Sequence, residues 1–146
     1  MAEIATSYPN ETVTATGTKR IFLVEDDLDD QELIIDAITA IKDSIVVDTQ
    51  TKGNKAILHL LDLDEAQLPN LIILDYNLPE LNGSEILEAL SLHNRFDAIP
   101  KVIWSTSSTG QFEAKCLALG ATAYLIKPSD LDGINKLAQR MVDLCQ

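Results

Sequence analysis

Polar and charged residues directly follow four short apolar runs in this sequence. They are Glu25, Asp26 and Asp27 after the first run, Asp75 after the third, Ser105 after the fourth and Lys127 after the fifth. In an open parallel sheet, ligands bind at the carboxyl ends of the strands. If these runs are strands of such a sheet, carboxylates, a hydroxyl and an amine converge on one edge.

Taken singly, each of these residues also has an ordinary structural explanation. An acidic cluster often begins a solvated helix, an Asp or Ser after a strand often forms a turn or a cap, and a lone Lys usually lies on the surface. These explanations do not account for the recurrence of such residues at successive strand ends. The recurrence favours a common site.

The charges of Glu25, Asp26 and Asp75 indicate what such a site would hold. Carboxylates that share one crevice raise one another's pKa and destabilise the fold unless cations neutralise them. One Mg²⁺ ion and Lys127 would balance the three negative charges, and Mg²⁺ prefers carboxylate and phosphate oxygens. The sequence therefore predicts a Mg²⁺-dependent phosphoryl site with Asp75 as nucleophile. Ser105 and Lys127 would hold phosphoryl oxygens.

Five apolar runs alternate with amphipathic segments of helical length. The predicted strands are Ile21–Val24, Ile45–Val47, Leu71–Leu74, Val102–Trp104 and Tyr124–Ile126. Such runs are typical of strands buried on both faces of a parallel sheet, and the segment from Thr109 to Leu119 has the weakest helical stripe. The alternation predicts an α/β, doubly wound (βα)5 domain. We expect this domain over 19–146, after a flexible arm at 1–18 that lacks the pattern.

Charge and composition exclude several classes of function. The net charge of −12 disfavours unaided binding to nucleic acid or to anionic membrane surfaces. No apolar run is long enough to cross a bilayer, and the start of the sequence does not resemble a signal peptide. Two cysteines, Cys116 and Cys145, fit a reducing compartment. We therefore expect a cytoplasmic location.

Four motifs, in this order, resemble the receiver domain of bacterial two-component response regulators, the chemotaxis regulator among them. They are Ile21–Asp27, Leu74–Gly83, Ser105 and Tyr124–Pro128. Each motif alone is weak, but the ordered set across five βα units is specific, and the resemblance covers about Lys19 to the end of the chain. It implies the flavodoxin-like fold with strand order 2-1-3-4-5.

The resemblance also implies roles for individual residues. Asp75 corresponds to the phosphoacceptor and Lys127 to the family's lysine, and Ser105 and Tyr124 occupy the switch positions. A Mg²⁺ ion would be held by Glu25, Asp26, Asp75 and the backbone carbonyl of Asn77, with Asp27 outside the site. The Lys127–Pro128 bond is expected to be cis. Asn77 and Ser107 would control water access, and both are polar, so we expect a short-lived phosphorylated state.

The expected partners are a sensor histidine kinase or a histidine phosphotransfer protein, and a downstream protein of unknown identity. Eighteen residues follow Pro128, which is enough for one helix. We therefore expect a single-domain regulator that catalyses only its own phosphorylation and dephosphorylation. It would signal through its fourth helix, fifth strand and fifth helix by a shift between two states.

Three alternatives are open at this stage. A haloacid-dehalogenase-type phosphatase uses similar groups, but it requires a second Asp where this chain has Asn77, and it places its acidic pair last. A flavin-binding module is suggested faintly by Ser107–Gln111, which is usually only a helix cap. A degenerate receiver that acts as a scaffold is disfavoured by the complete residue set.

Overall fold

The protein is built around one five-stranded parallel sheet. The computed structural model describes residues 18–106 and 109–145. The strands are β1 (Arg20–Val24), β2 (Val46–Gln50), β3 (Leu71–Asp75), β4 (Lys101–Ser105) and β5 (Ala123–Ile126). Their order is β2-β1-β3-β4-β5, and all four pairings are parallel. This confirms the predicted fold class and strand order.

Five helices cover the two faces of the sheet. They are α1 (Leu28–Ile41), α2 (Gly53–Asp62), α3 (Gly83–Ser91), α4 (Gly110–Ala118) and α5 (Leu131–Leu144). Buried side chains of α1 and α5 pack with one face of the strands, and those of α2, α3 and α4 pack with the other. In the described part of the chain, no helix has the length and apolar character needed to span a membrane.

The central strands differ from the edge strand in burial. Every residue of β3 and β4 is buried, as expected for strands covered by helices on both faces. The prediction for the second strand was wrong in both position and burial. The strand is Val46–Gln50 rather than Ile45–Val47, and it has no fully buried residue. It lies at the edge of the sheet, where cover is incomplete, and Ile45 is buried just before it begins.

Side-chain caps fix where three of the helices begin. Asp27 accepts hydrogen bonds from the backbone N–H groups of Asp29 and Asp30 and so begins α1. Asn82 forms a capping box with Glu85 at α3, and Asp130 caps α5. These oxygens satisfy backbone donors that have no partner within the helix.

The helix α4 is held less firmly than its neighbours. Thr109, which precedes it, makes no side-chain cap hydrogen bond, and Cys116 is its one buried residue. By contrast, α1 and α5 each bury three residues against the core. The weak stripe predicted for this segment is therefore confirmed.

Two predictions fall on residues outside the described part of the chain. These are the flexible arm, apart from Thr18, and the role of Ser107.

Candidate functional site

Three carboxylates converge at the carboxyl end of the sheet. Glu25 and Asp26 follow β1, and Asp75 is the last residue of the neighbouring strand β3. One oxygen from each of the three lies within 4.8 Å of the others. Glu25 and Asp75 are buried, whereas Asp26 is exposed. The fold thus brings together the three acidic residues that the sequence places at two separate strand ends.

Glu25 is fully buried, and its backbone and side chain are both anchored. Its backbone N–H donates to the Gln50 carbonyl, which extends the ladder to β2. Its Oε2 accepts from the backbone N–H of Asp27 at 3.0 Å, and Gln31 donates to its carbonyl. Burial, supported by the neighbouring Asp75, raises the pKa of Glu25 to about 8. A bound cation would be needed to keep this carboxyl ionised at neutral pH.

Lys127 reaches the same cluster from the end of β5. Its Nζ lies 2.9 Å from Glu25 Oε1 and 3.1 Å from Asp75 Oδ2, and 4.6 Å from the centroid of the Trp104 ring. Burial lowers the pKa of Lys127, but the hydrogen bonds with Asp30 and Glu25 and the charge of Asp75 together raise it above its ordinary value. The ammonium ion therefore stays charged in this acidic pocket.

The prediction of a cis Lys127–Pro128 bond was wrong, because the described residues contain no cis peptide bond. The trans form is the intrinsically favoured isomer. In this form the backbone N–H of Lys127 donates to the Ser105 carbonyl at 2.8 Å, which continues the β4–β5 ladder. The trans chain still delivers the ammonium group to the carboxylates.

Asp30 also belongs to this group of charged residues around Lys127, although the sequence did not reveal it. Its Oδ2 lies 2.8 Å from Lys127 Nζ, the shortest of the three ion pairs that this lysine makes. An acidic residue in the first turn of a helix is ordinarily explained by the helix dipole, so the sequence pattern did not mark Asp30 as a site residue. The available signal was an acidic residue in the first turn of the helix that follows Glu25 and Asp26.

Asp75 and Ser105 are linked by Asn77. The backbone N–H of Asn77 donates to Asp75 Oδ1 at 2.9 Å, and its side-chain Nδ2 donates to Ser105 Oγ at 3.2 Å. Ser105 is fully buried at the end of β4. Each Asp75 oxygen thus has a described partner, the Asn77 amide for one and Lys127 for the other.

An aromatic cluster lies next to Asp75. The Tyr76 ring stacks on Phe112 of α4 at 4.4 Å between centroids and lies 6.4 Å from the Tyr124 ring. Burial raises the pKa of Tyr124, and a side-chain hydrogen bond with Ser105 lowers it in part. The residue that directly follows Asp75 is therefore in contact with α4. Trp104 of β4 is buried in the core.

Gly83 allows α3 to begin close to the end of β3. A Cβ atom at this position would lie 3.0 Å from Tyr76 Cα and 3.1 Å from the Asp75 carbonyl oxygen. The backbone N–H of Gly83 donates to the Tyr76 carbonyl. A side chain at this position would press on the backbone that carries Asp75, which would have to move by a few tenths of an ångström.

The residues around Asp75 fit a Mg²⁺ ion. The cluster offers three carboxylates and no histidine or thiolate, which is the hard oxygen donor set that Mg²⁺ prefers. Glu25 is a buried carboxyl whose raised pKa such an ion would reverse.

The family model for the response regulator receiver domain matches residues 21–139. The chain belongs to the response regulator receiver domain family. Receiver domains are signalling modules rather than classical enzymes, and histidine kinases or phosphotransfer proteins phosphorylate them. The four motifs, the fold and the family model therefore agree.

Curated relatives include proteins from plants and an archaeon. The two-component response regulator ARR9 of Arabidopsis thaliana is 30% identical to this receiver domain, over 89% of this chain and 62% of its own length. The chain spans 60% of the probable methanogenesis regulatory protein FilR2 of Methanothrix harundinacea, at 29% identity over 62% of this chain. The chain thus spans about three fifths of the length of these two relatives.

Solved structures include two similar response regulators. The phosphorylated cyanobacterial phytochrome response regulator RcpA has a TM-score of 0.80 and 29% identity, and the match covers 88% of this chain and 94% of that one. The Mn²⁺-bound form of the response regulator Rcp1 has a TM-score of 0.74 and 29% identity, over 84% of this chain and 90% of that one. One relative was thus solved phosphorylated and the other with a divalent cation.

Proposed function

We propose that this receiver domain accepts a phosphoryl group on Asp75 from a histidine kinase or a histidine phosphotransfer protein, with Mg²⁺ in the site. The observation that carries the proposal is the position of Asp75, which lies among the acidic cluster with Lys127 Nζ 3.1 Å from its Oδ2. Glu25, Asp26, Asp75 and the Asn77 backbone carbonyl would hold the ion. The Mn²⁺-bound relative supports a divalent cation at such a site.

In the transfer step, a carboxylate oxygen of Asp75 forms a bond to phosphorus while the P–N bond of a phosphohistidine breaks. The electron pair leaves with the imidazole nitrogen, which takes up a proton. A cation held by these residues would neutralise charge on the phosphoryl oxygens. Lys127 and the Ser105 hydroxyl would donate hydrogen bonds to the other phosphoryl oxygens, and Asn77 orients the Asp75 carboxylate through its backbone N–H.

The output would be a change in the surface formed by α4, β5 and α5. Ser105 and Tyr124 are the switch residues that the resemblance implies. The stack of Tyr76 on Phe112 connects the site to α4, and α4 has a single buried residue. Leu117 and Ile126 expose apolar surface on this face. These features support a surface that changes its protein partner with the phosphorylation state.

The direct test is incubation with acetyl phosphate or phosphoramidate and Mg²⁺, followed by intact mass measurement. We expect the gain of one phosphoryl group in the wild type and in the control Asp62→Asn, which removes an exposed carboxylate at the end of α2. Asp75→Asn should show no gain. An unmodified wild type, or a modified Asp75→Asn variant, would overturn the assignment. Steady turnover of a phosphate monoester would favour a phosphatase instead.

Several finer expectations stay predictions from the sequence. They are the single-domain organisation, the cytoplasmic location and the short lifetime of the phosphorylated state. The lifetime can be measured by the decay of the added mass after the phosphodonor is removed.

A further inference from the structure

In the described part of the chain, the ammonium group of Lys127 lies within ion-pair distance of three carboxylates, and one of these carboxylates lies outside the acidic cluster. An ammonium group has three N–H donors and no acceptor. The nearest oxygens belong to Asp30 at 2.8 Å, Glu25 at 2.9 Å and Asp75 at 3.1 Å. Glu25 and Asp75 belong to the three-carboxylate cluster with Asp26, but Asp30 does not.

This difference separates Asp30 from the other two partners of Lys127. A divalent cation in the cluster would be coordinated by oxygens of Glu25 and Asp75. It would therefore compete with Lys127 for these oxygens. It would not compete for Asp30 in the same way. Asp30 is fixed at the start of α1, where its backbone N–H donates to the cap residue Asp27, and its side chain is 31% exposed at the rim.

We propose that Asp30 is a positioning residue that holds the Lys127 ammonium group, favours the divalent cation and disfavours small dianionic phosphodonors. This inference rests on the proposed phosphorylation of Asp75. Asp30 neutralises Lys127 at short range, so the ammonium group repels a cation in the cluster less. The same negative charge at the rim repels an incoming dianion and occupies one N–H that would otherwise meet a phosphoryl oxygen.

The inference predicts effects of opposite sign on cation binding and on phosphorylation. In Asp30→Asn, the Kd for Mg²⁺ should rise about fivefold, the size expected for a partly exposed charge pair. At saturating Mg²⁺, the rate with acetyl phosphate should rise by about the same factor. In that reaction Asp75 forms a P–O bond, the P–O bond to acetate breaks, and acetate leaves with the electron pair.

The two phosphodonors differ in charge, and this difference provides a second comparison within the same experiment. Acetyl phosphate is a dianion at neutral pH, whereas phosphoramidate is mostly a monoanion. The rate gain of Asp30→Asn should therefore be smaller with phosphoramidate. A general loosening of the site would slow both donors alike and would not distinguish them.

The experiment uses isothermal titration calorimetry for Mg²⁺ and intact mass for the phosphorylation rate, at one ionic strength. Asp29→Asn is the matched control, since it removes a carboxylate one residue away that is exposed and is not a partner of Lys127. We expect Asp29→Asn to behave like the wild type and Asp30→Glu to restore both properties. A rate that falls together with Mg²⁺ affinity, or an Asp30→Asn variant equal to Asp29→Asn, would overturn the inference.

The experiment distinguishes a failure of the role proposed for Asp30 from a failure of the proposed function. If the wild type gains no phosphoryl group, the proposed function fails. If the wild type is phosphorylated on Asp75 and Asp30→Asn does not change donor preference, only the role of Asp30 fails.

Discussion

On the side of β1 and α1, the candidate site is built from buried charges with close partners, whereas on the side of α4 it is built from aromatic contacts near a sparsely packed helix. Glu25 is fully buried and paired with Lys127, and α1 packs against α5 along the core. Across the site, α4 lacks a side-chain cap and buries only Cys116. The β1 and α1 side therefore holds charged groups in fixed positions for the chemistry of the site. The α4 side is packed loosely enough to change conformation in response.

The largest expected effect comes from removing the Lys127 ammonium group on the β1 and α1 side of the site. Lys127→Ala leaves the buried Asp75 carboxylate without its lysine partner, so we expect a loss of about 3–5 kcal/mol in the free energy of unfolding without Mg²⁺. Urea unfolding in chelator measures it. The control Lys136→Ala removes an exposed i,i+4 pair with Asp132 and should cost less than about 0.5 kcal/mol. Equal losses in the two variants would contradict the contrast.

The second effect is a pH dependence that belongs to Glu25. The pKa of Glu25 is raised from 4.5 to about 8 in the folded, metal-free protein. The stability that this residue contributes is therefore fully present below pH 4.5 and is lost as the pH rises through about 8. The free energy of unfolding should fall by up to about 1.4 kcal/mol per pH unit within this window.

Chelator-treated protein unfolded by urea at pH values across that window tests the slope. Glu25→Gln cannot ionise and should remove it, and saturating Mg²⁺ should reduce it by holding the carboxylate ionised. A Glu25→Gln variant with the wild-type slope would assign the pH dependence to another group.

The third effect concerns the close approach of α3 to β3. Gly83→Ala places a methyl group 3.0 Å from Tyr76 Cα and 3.1 Å from the Asp75 carbonyl oxygen, and it should lower the free energy of unfolding by about 1–3 kcal/mol. Gly110→Ala, at the start of α4, meets no described atom within 4 Å. It should be neutral or stabilising by up to about 1 kcal/mol. Thermal or urea unfolding of both variants tests this prediction. A Gly83→Ala variant with the same free energy of unfolding as the wild type would refute it.

The smallest effect sharpens the description of α4. Phe112→Leu removes the stack on Tyr76 and should cost about 0.5–1.5 kcal/mol. Amide hydrogen exchange followed by mass spectrometry should show faster exchange in α4 and little change in α5. Leu117→Ala, an exposed change on the same helix, serves as the control. Uniform loss of protection across the chain would mean that α4 is no less stable than the rest.

The sequence alone was sufficient to predict the central strands and to select four residues that the fold brings together, Glu25, Asp26, Asp75 and Lys127. The runs at β1, β3 and β4 are apolar because both faces of these strands are covered. Such a pattern can be recognised within a short stretch of sequence. The polar residues after them mark the strand ends. The edge strand β2 was misplaced because its residues are exposed or only half-buried and its position depends on which strand it joins.

The tertiary structure alone decided how the charges are paired. Asp30 and Lys127 are 97 residues apart in the chain, and Asp75 and Lys127 are 52 apart. Apolar periodicity records which face of an element is buried, but it carries no information about which charged side chain meets which. That pairing follows from the strand order and from the direction of each side chain at the sheet edge. The sequence thus determined the fold and the chemistry available to it, and the packing of β1, β3, β4 and β5 determined that Lys127 meets Asp30 as well as the acidic cluster.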